Sequence, residues 1–217
     1  MSIISVVYVP EGIAMSADSR LTGYRENENG LTDRFAISDN SQKLFLINKS
    51  NVGIASCGDA LVDGKTIADF LRVFEIEQIK DDDTIHTISE KLMERCNTAS
   101  VSSYTSFLVC GYCRDEAFVY TVRKGYIKLL RTGTNYGANW DGETEAVEKL
   151  LLGEKRTQFG WNLMPLKDGI DLAEFLVDVT IKYQRFQDGI DTCGGPIDVL
   201  VITKDLAKFI KHKVLKP

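Results

Sequence analysis

Apolar residues run almost unbroken from Ile3 to Val9, pause at Pro10-Glu11-Gly12, and resume through Ile13, Ala14 and Met15. Two such runs closed by a turn tripeptide read as a strand pair over about 3–9 and 12–18, with little exposure on either face. A second pair of strand-like runs covers about 42–48 and 52–57, joined by Asn48-Lys49-Ser50-Asn51. Between the pairs lies the polar segment 19–41, read as a loop whose length marks it as a working excursion rather than a connector. The period then changes. Leu61, Ile67, Phe70, Leu71 and Phe74 recur at helical spacing over about 60–78, and Ile85, Ile88, Leu92 and Met93 do so over about 84–100. Strand-like runs return at 105–113, 117–123 and 126–131. Helical signals come again at 142–152 and 168–185, then a strand at 197–203 and a short closing element over 206–214.

Strands, two helices, strands, two helices and a strand fit neither an alternating parallel α/β fold nor a bundle. Two antiparallel sheets of hairpins bury one face against each other, and helix pairs cover the outer faces. The order therefore predicts an α+β fold, a four-layer αββα sandwich. No linker, repeat or low-complexity stretch interrupts residues 1–217, so a single domain is expected.

Composition narrows the partners. The net charge of −5 comes with no Lys/Arg cluster before the closing "KFIKHKVLKP", which argues against nucleic acid. No segment approaches the roughly 20 apolar residues of a membrane span, and no secretory signal precedes Ile3. Five cysteines at irregular spacing (57, 96, 110, 113 and 193) suit reduced thiols, hence a cytoplasmic protein. Cys110 and Cys113 form a C-x-x-C inside a strand-like run, without two further ligands of matching spacing, so they read as packed thiols. No metal or cofactor is expected.

The stretches "GIAMSADSR", "KLFLINKSNVGIASCGD" and "CGGPIDVLVIT", taken in order, resemble the β-type subunits of the proteasome and their bacterial relatives, within the N-terminal-nucleophile hydrolase superfamily. The resemblance runs over nearly the whole chain. It implies that the mature chain begins at the nucleophile, and matching Gly12 and Asp18 to the family without a gap puts that position at Ser2, where the family usually has threonine. Removal of Met1 would leave a free α-amine and a hydroxyl on one residue. A serine hydroxyl is weak until a base takes its proton. An α-amine, with a reference pKa of about 7.7–8, suits that role at neutral pH, and a neighbouring lysine cation lowers it further.

The resemblance assigns that lysine to Lys43, held by Asp18 through a charged hydrogen bond. It puts the backbone donor for the oxyanion at Cys57, fourteen positions after Lys43, a role shared with Gly58. Its accessory acid and serine fall near Asp191 and at Cys193, before Gly194-Gly195. The second accessory serine has no counterpart in "NYGANWDGE". The resemblance thus implies an amide or peptide hydrolase acting through Ser2, assembled as a homo-oligomeric ring or stacked rings. A catalytically silent assembly or binding subunit, and a small-molecule amidase on the same fold, are the alternatives.

Overall fold

The computed structural model describes residues 2–26, 32–47, 49–131, 135–153 and 158–214. Met1, Asn48 of the expected strand connection and the last three residues of the basic closing segment lie outside them. The chain opens with β1 (Ile3–Val9), β2 (Gly12–Ala17), β3 (Leu21–Glu26), β4 (Thr32–Ser38), β5 (Leu44–Ile47) and β6 (Val52–Cys57). Two short strands, β7 (Leu61–Val62) and β8 (Lys65–Thr66), precede α1 (Ile67–Gln78) and α2 (Ile85–Thr98). Then come β9 (Ser106–Cys113), β10 (Glu116–Arg123), β11 (Tyr126–Arg131), β12 (Gly137–Gly142), α3 (Glu145–Leu151), α4 (Leu166–Gln184), β13 (Asp198–Ile202) and β14 (Ala207–Lys211).

Two five-stranded sheets result, each antiparallel throughout. The first runs β12-β1-β2-β13-β14 and the second β11-β10-β9-β6-β5. In β1 the period of two sorts side chains cleanly. Ile4, Val6 and Tyr8 join Met15, Leu44, Ala55, Leu108 and Leu200 in a core shared by both sheets, whereas Val7 and Val9 meet Ala173 and Leu176 of α4. The second sheet does the same. Ile54, Phe107 and Val109 pack with Phe70, Phe74, Ile88 and Leu92 of α1 and α2, while Ala55, Leu108 and Cys110 face the shared core. Both sheets are therefore apolar on both faces, which is why their strands read as near-continuous hydrophobic runs.

Three segments depart from the expectation: 19–41, 60–66, and 137–142, where an unexpected strand, β12, pairs along β1. Residues 19–41 are not a loop over their described length: β3 and β4 pair antiparallel, with Leu21 opposite Ser38 and Tyr24 opposite Arg34. This hairpin stands outside both five-stranded sheets and buries no core residue, so its pattern carries no apolar face to betray it. Helix α1 starts at Ile67 rather than near 60, because β7 and β8 form a small hairpin first. Asp63 and Gly64, both at positive φ (50° and 74°), make its turn, and Thr66 caps the helix by accepting from the Asp69 N–H. Among the described residues no helix is long and apolar enough to cross a membrane.

Candidate functional site

The ends of β1, β2, β5 and β6 meet at a cleft of about 290 Å³ lined by Ser2, Lys43, Ser56, Cys57 and Gly58 on its inner side, with Leu21, Tyr24 and Arg34 of the β3–β4 hairpin as an outer wall. Its organiser is Asp18, fully buried at the end of β2. Each oxygen of that carboxylate takes two donors. Oδ1 accepts Lys43 Nζ at 2.7 Å and the Ile3 N–H at 3.1 Å, and Oδ2 accepts the Gly194 N–H at 3.0 Å and the Arg20 N–H at 3.1 Å. A charge this far from water is held only because every lone-pair direction is used. The counter-ion is equally enclosed: Lys43 is 5% exposed. Its backbone carbonyl accepts the Ser56 N–H at 2.8 Å, which fixes the lysine at the start of β5.

Ser2 is clamped on both sides. The N–H of the next residue, Ile3, goes to Asp18, and its own carbonyl accepts the Glu143 N–H at 2.8 Å just past β12. The chain at Gly142 (φ 103°) passes so close that a Cβ there would lie 1.9 Å from the Ser2 carbonyl oxygen. Across the cleft, β6 ends at Cys57 and turns at Gly58 (φ 114°), where a Cβ would lie 2.5 Å from Thr105 Cα. The Gly58 N–H has no hydrogen-bond partner among the described residues. The Cys57 thiol is pushed up to about 12, chiefly by burial and next by the Asp141 charge. It is therefore a proton-bearing group at neutral pH and no ready nucleophile.

The rim is tied by a second ion pair. Arg20 grips Asp39 through Nε and Nη2 at 2.7 and 3.0 Å, and its hydrogen bond holds the Asp39 carboxyl below the usual carboxylate range. The remaining arm of Arg20 donates to the Asp191 carbonyl at 3.3 Å.

The structure therefore brings Ser2, Asp18, Lys43, Cys57 and Gly58 together. Asp191 takes part through its main-chain carbonyl, which accepts from Arg20, and through the pull of its charge on that guanidinium. Cys193 is buried against Ile3 and Val177, behind the cleft rather than on it, and burial raises its thiol pKa well above the ordinary value. Next to it Thr192 does line the cleft, with its hydroxyl 3.2 Å from Glu143 Oε1. Gly194, whose N–H reaches Asp18, and Thr192 were not singled out by the sequence. The Gly-Gly pair after Cys193 was the only local hint of a backbone approach there. Among the described residues no group of three or more His, Cys, Asp or Glu side chains is disposed to hold a metal ion.

Comparison of this geometry with solved structures finds a match over almost the whole chain. It is similar to the Gly-1 mutant of Anbu from Hyphomicrobium sp. strain MC1, with a TM-score of 0.62 at 15% identity, covering 98% of this chain and 88% of that one. The likeness is one of fold. No family model and no curated protein matches the sequence.

Proposed function

We propose that this protein is a proteasome-like N-terminal-nucleophile amide hydrolase built as a four-layer αββα sandwich, with Ser2 as nucleophile once the Met1–Ser2 bond is cut. One observation carries the reading: a single buried carboxylate, Asp18, fixes both Lys43 and the main chain beside Ser2, and both residues open on one cleft. A merely structural ion pair has no need to meet the chain there.

The chemistry is built from these groups. The freed α-amine takes the hydroxyl proton as Ser2 Oγ attacks the substrate carbonyl. The Lys43 ammonium keeps the amine unprotonated by like-charge repulsion and stabilises negative charge at Oγ. The Gly58 N–H, left unpaired at the end of β6 and lining the cleft, is the donor for the tetrahedral oxyanion. The ammonium formed on Ser2 protonates the departing amine, leaving an acyl ester, and water delivered by the same base hydrolyses it.

A second reading, a catalytically silent assembly subunit, draws support from the removal of the Cys193 side chain from the cleft and from the absence of an accessory serine in 137–142. One experiment separates the two. A protein whose chain begins at Ser2 is incubated with a peptide β-lactone or vinyl sulfone, and intact mass is followed. The hydrolase reading expects one adduct on Ser2, none when Met1 is retained, and none in Lys43→Ala. Equal labelling of all three, or none of the first, overturns it in favour of the silent subunit.

A further inference from the structure

Behind the cleft a row of polar side chains crosses three neighbouring strands of the second sheet and ends on a carboxylate of the first. Arg123 on β10 stands opposite Ser106 on β9, and Ser106 stands opposite Cys57 on β6. Ser106 Oγ lies 2.7 Å from Asp141 Oδ2 and 3.2 Å from Cys57 Sγ, and Arg123 Nη2 reaches the same Oδ2 at 2.5 Å. The proton directions are set by valence. A carboxylate only accepts, so the single hydroxyl proton of Ser106 goes to Asp141, and the serine oxygen is left to accept from the Cys57 S–H. Burial and the Asp141 charge keep that thiol protonated.

Asp141 sits where the two halves of the site meet. It lies on β12 in register with Ile4, Gly142 comes next opposite Ile3, and Glu143 donates its N–H to the Ser2 carbonyl. One end of the row is therefore joined to the segment that holds Ser2. The other end is the last residue of β6, whose backbone continues into Gly58.

We infer that Asp141 is a positioning residue: through Ser106 and Arg123 it holds the Cys57–Gly58 backbone at a set distance from Ser2, keeping nucleophile and oxyanion donors in register during acyl transfer. The role rests on the proposed Ser2 chemistry, but the strut itself has a readout independent of it. Oxyanion donors act by being placed before charge develops, so a strut tying their strand to the nucleophile's strand affects rate more than binding.

The test compares Asp141→Ala with Asp141→Asn. Both remove the same charge, but asparagine keeps an acceptor for Ser106. Alkylation of Cys57 by iodoacetamide at pH 8 is read peptide by peptide, with buried Cys96 and Cys110 as internal references for global opening. Loss of a hydrogen bond to a charged acceptor predicts that Cys57 reacts about tenfold faster in the alanine variant, and within about threefold of wild type in the asparagine variant. The reference thiols keep their wild-type rates in both. Ser2 labelling by the β-lactone is followed in parallel, and the alanine variant should lose about tenfold in the maximal labelling rate with an unchanged half-saturating concentration. A Cys57 rate in Asp141→Ala equal to wild type, or equal to that in Asp141→Asn, overturns the inference whether or not Ser2 reacts. An unchanged maximal labelling rate does so as well. If wild-type Ser2 never labels, the hydrolase reading falls, and the Cys57 comparison still decides the strut. Should the alanine variant not fold, a wild-type Cys57 rate in Ser106→Ala overturns the inference and a raised one supports it.

Discussion

Asp18→Asn is the substitution on which this structure makes its sharpest demand. The change is nearly isosteric, so a site that needed only shape would tolerate it. Here each carboxylate oxygen accepts from two donors, Lys43 Nζ and the Ile3 N–H on one, the Gly194 and Arg20 N–H groups on the other. Whichever way an asparagine amide is turned, its NH2 faces two donors and leaves both unpaired. If it faces Lys43, a buried ammonium also loses its acceptor; if it faces Gly194 and Arg20, Lys43 keeps a neutral oxygen but no counter-charge. Two orphaned donors and an uncompensated buried cation put the loss at about 3–5 kcal/mol. Against a total of about 5–15 kcal/mol for a domain, that is a shift of the urea midpoint easily resolved at constant m-value. Lys43→Met should cost less, because Asp18 retains three backbone donors, and adding it to Asp18→Asn should recover part of the loss. A midpoint for Asp18→Asn corresponding to less than about 1 kcal/mol of destabilisation would refute the four-donor account, since no arrangement of the amide satisfies these groups.

Two further outcomes are set by the same geometry. Gly142→Ala puts a methyl carbon 1.9 Å from the Ser2 carbonyl oxygen at a φ of 103°, so Ser2 must move; destabilisation of about 2 kcal/mol or more by urea unfolding, with loss of β-lactone labelling, is expected. The thiols of Cys57 and Cys96 titrate near 9 when unfolded and are pushed up to about 12 in the fold by burial. Between those values the unfolded state binds fewer protons, so stability falls as pH rises above about 9, by about 1.4 kcal/mol per pH unit for each thiol. Replacing Cys96 by alanine should flatten the slope by one such increment, and an unchanged slope would exclude its contribution.

Much of the fold could be read from the chain because the strands of its two sheets are buried on both faces. Ile3–Val9, Val52–Cys57 and Asp198–Ile202 have no polar side to confuse with a helix stripe. Where burial did not guide the choice, reading failed. The Asp63-Gly64 turn is a hairpin signal, but apolar Leu61 beside it also fitted the helical series that continues at Ile67. Gly137–Gly142, with its glycines, asparagine and aspartate, has the composition of a turn; pairing along β1 makes it a strand, a tertiary effect stronger than local preference. At the site, Asp18 and Lys43 were named only through the resemblance, since an aspartate after a strand and a lysine at a strand's start carry no site signal of their own. The Cys57–Ser106–Asp141–Arg123 row left no trace, since its members come from four strands of two sheets and meet only when the sheets stack.

The β3–β4 hairpin bears on how such a cleft can change over generations. It supplies a wall of the cleft yet contributes nothing to either core, so its length and side chains are free of the packing constraints that govern β1 or β6. Selection can therefore redraw the outer boundary of the cleft by trading this one appendage, with the Asp18 junction and the paired sheets beneath it left intact. A graft replacing residues 21–38 is the corresponding move at the bench, a change of recognition surface that leaves the foundation of the molecule undisturbed.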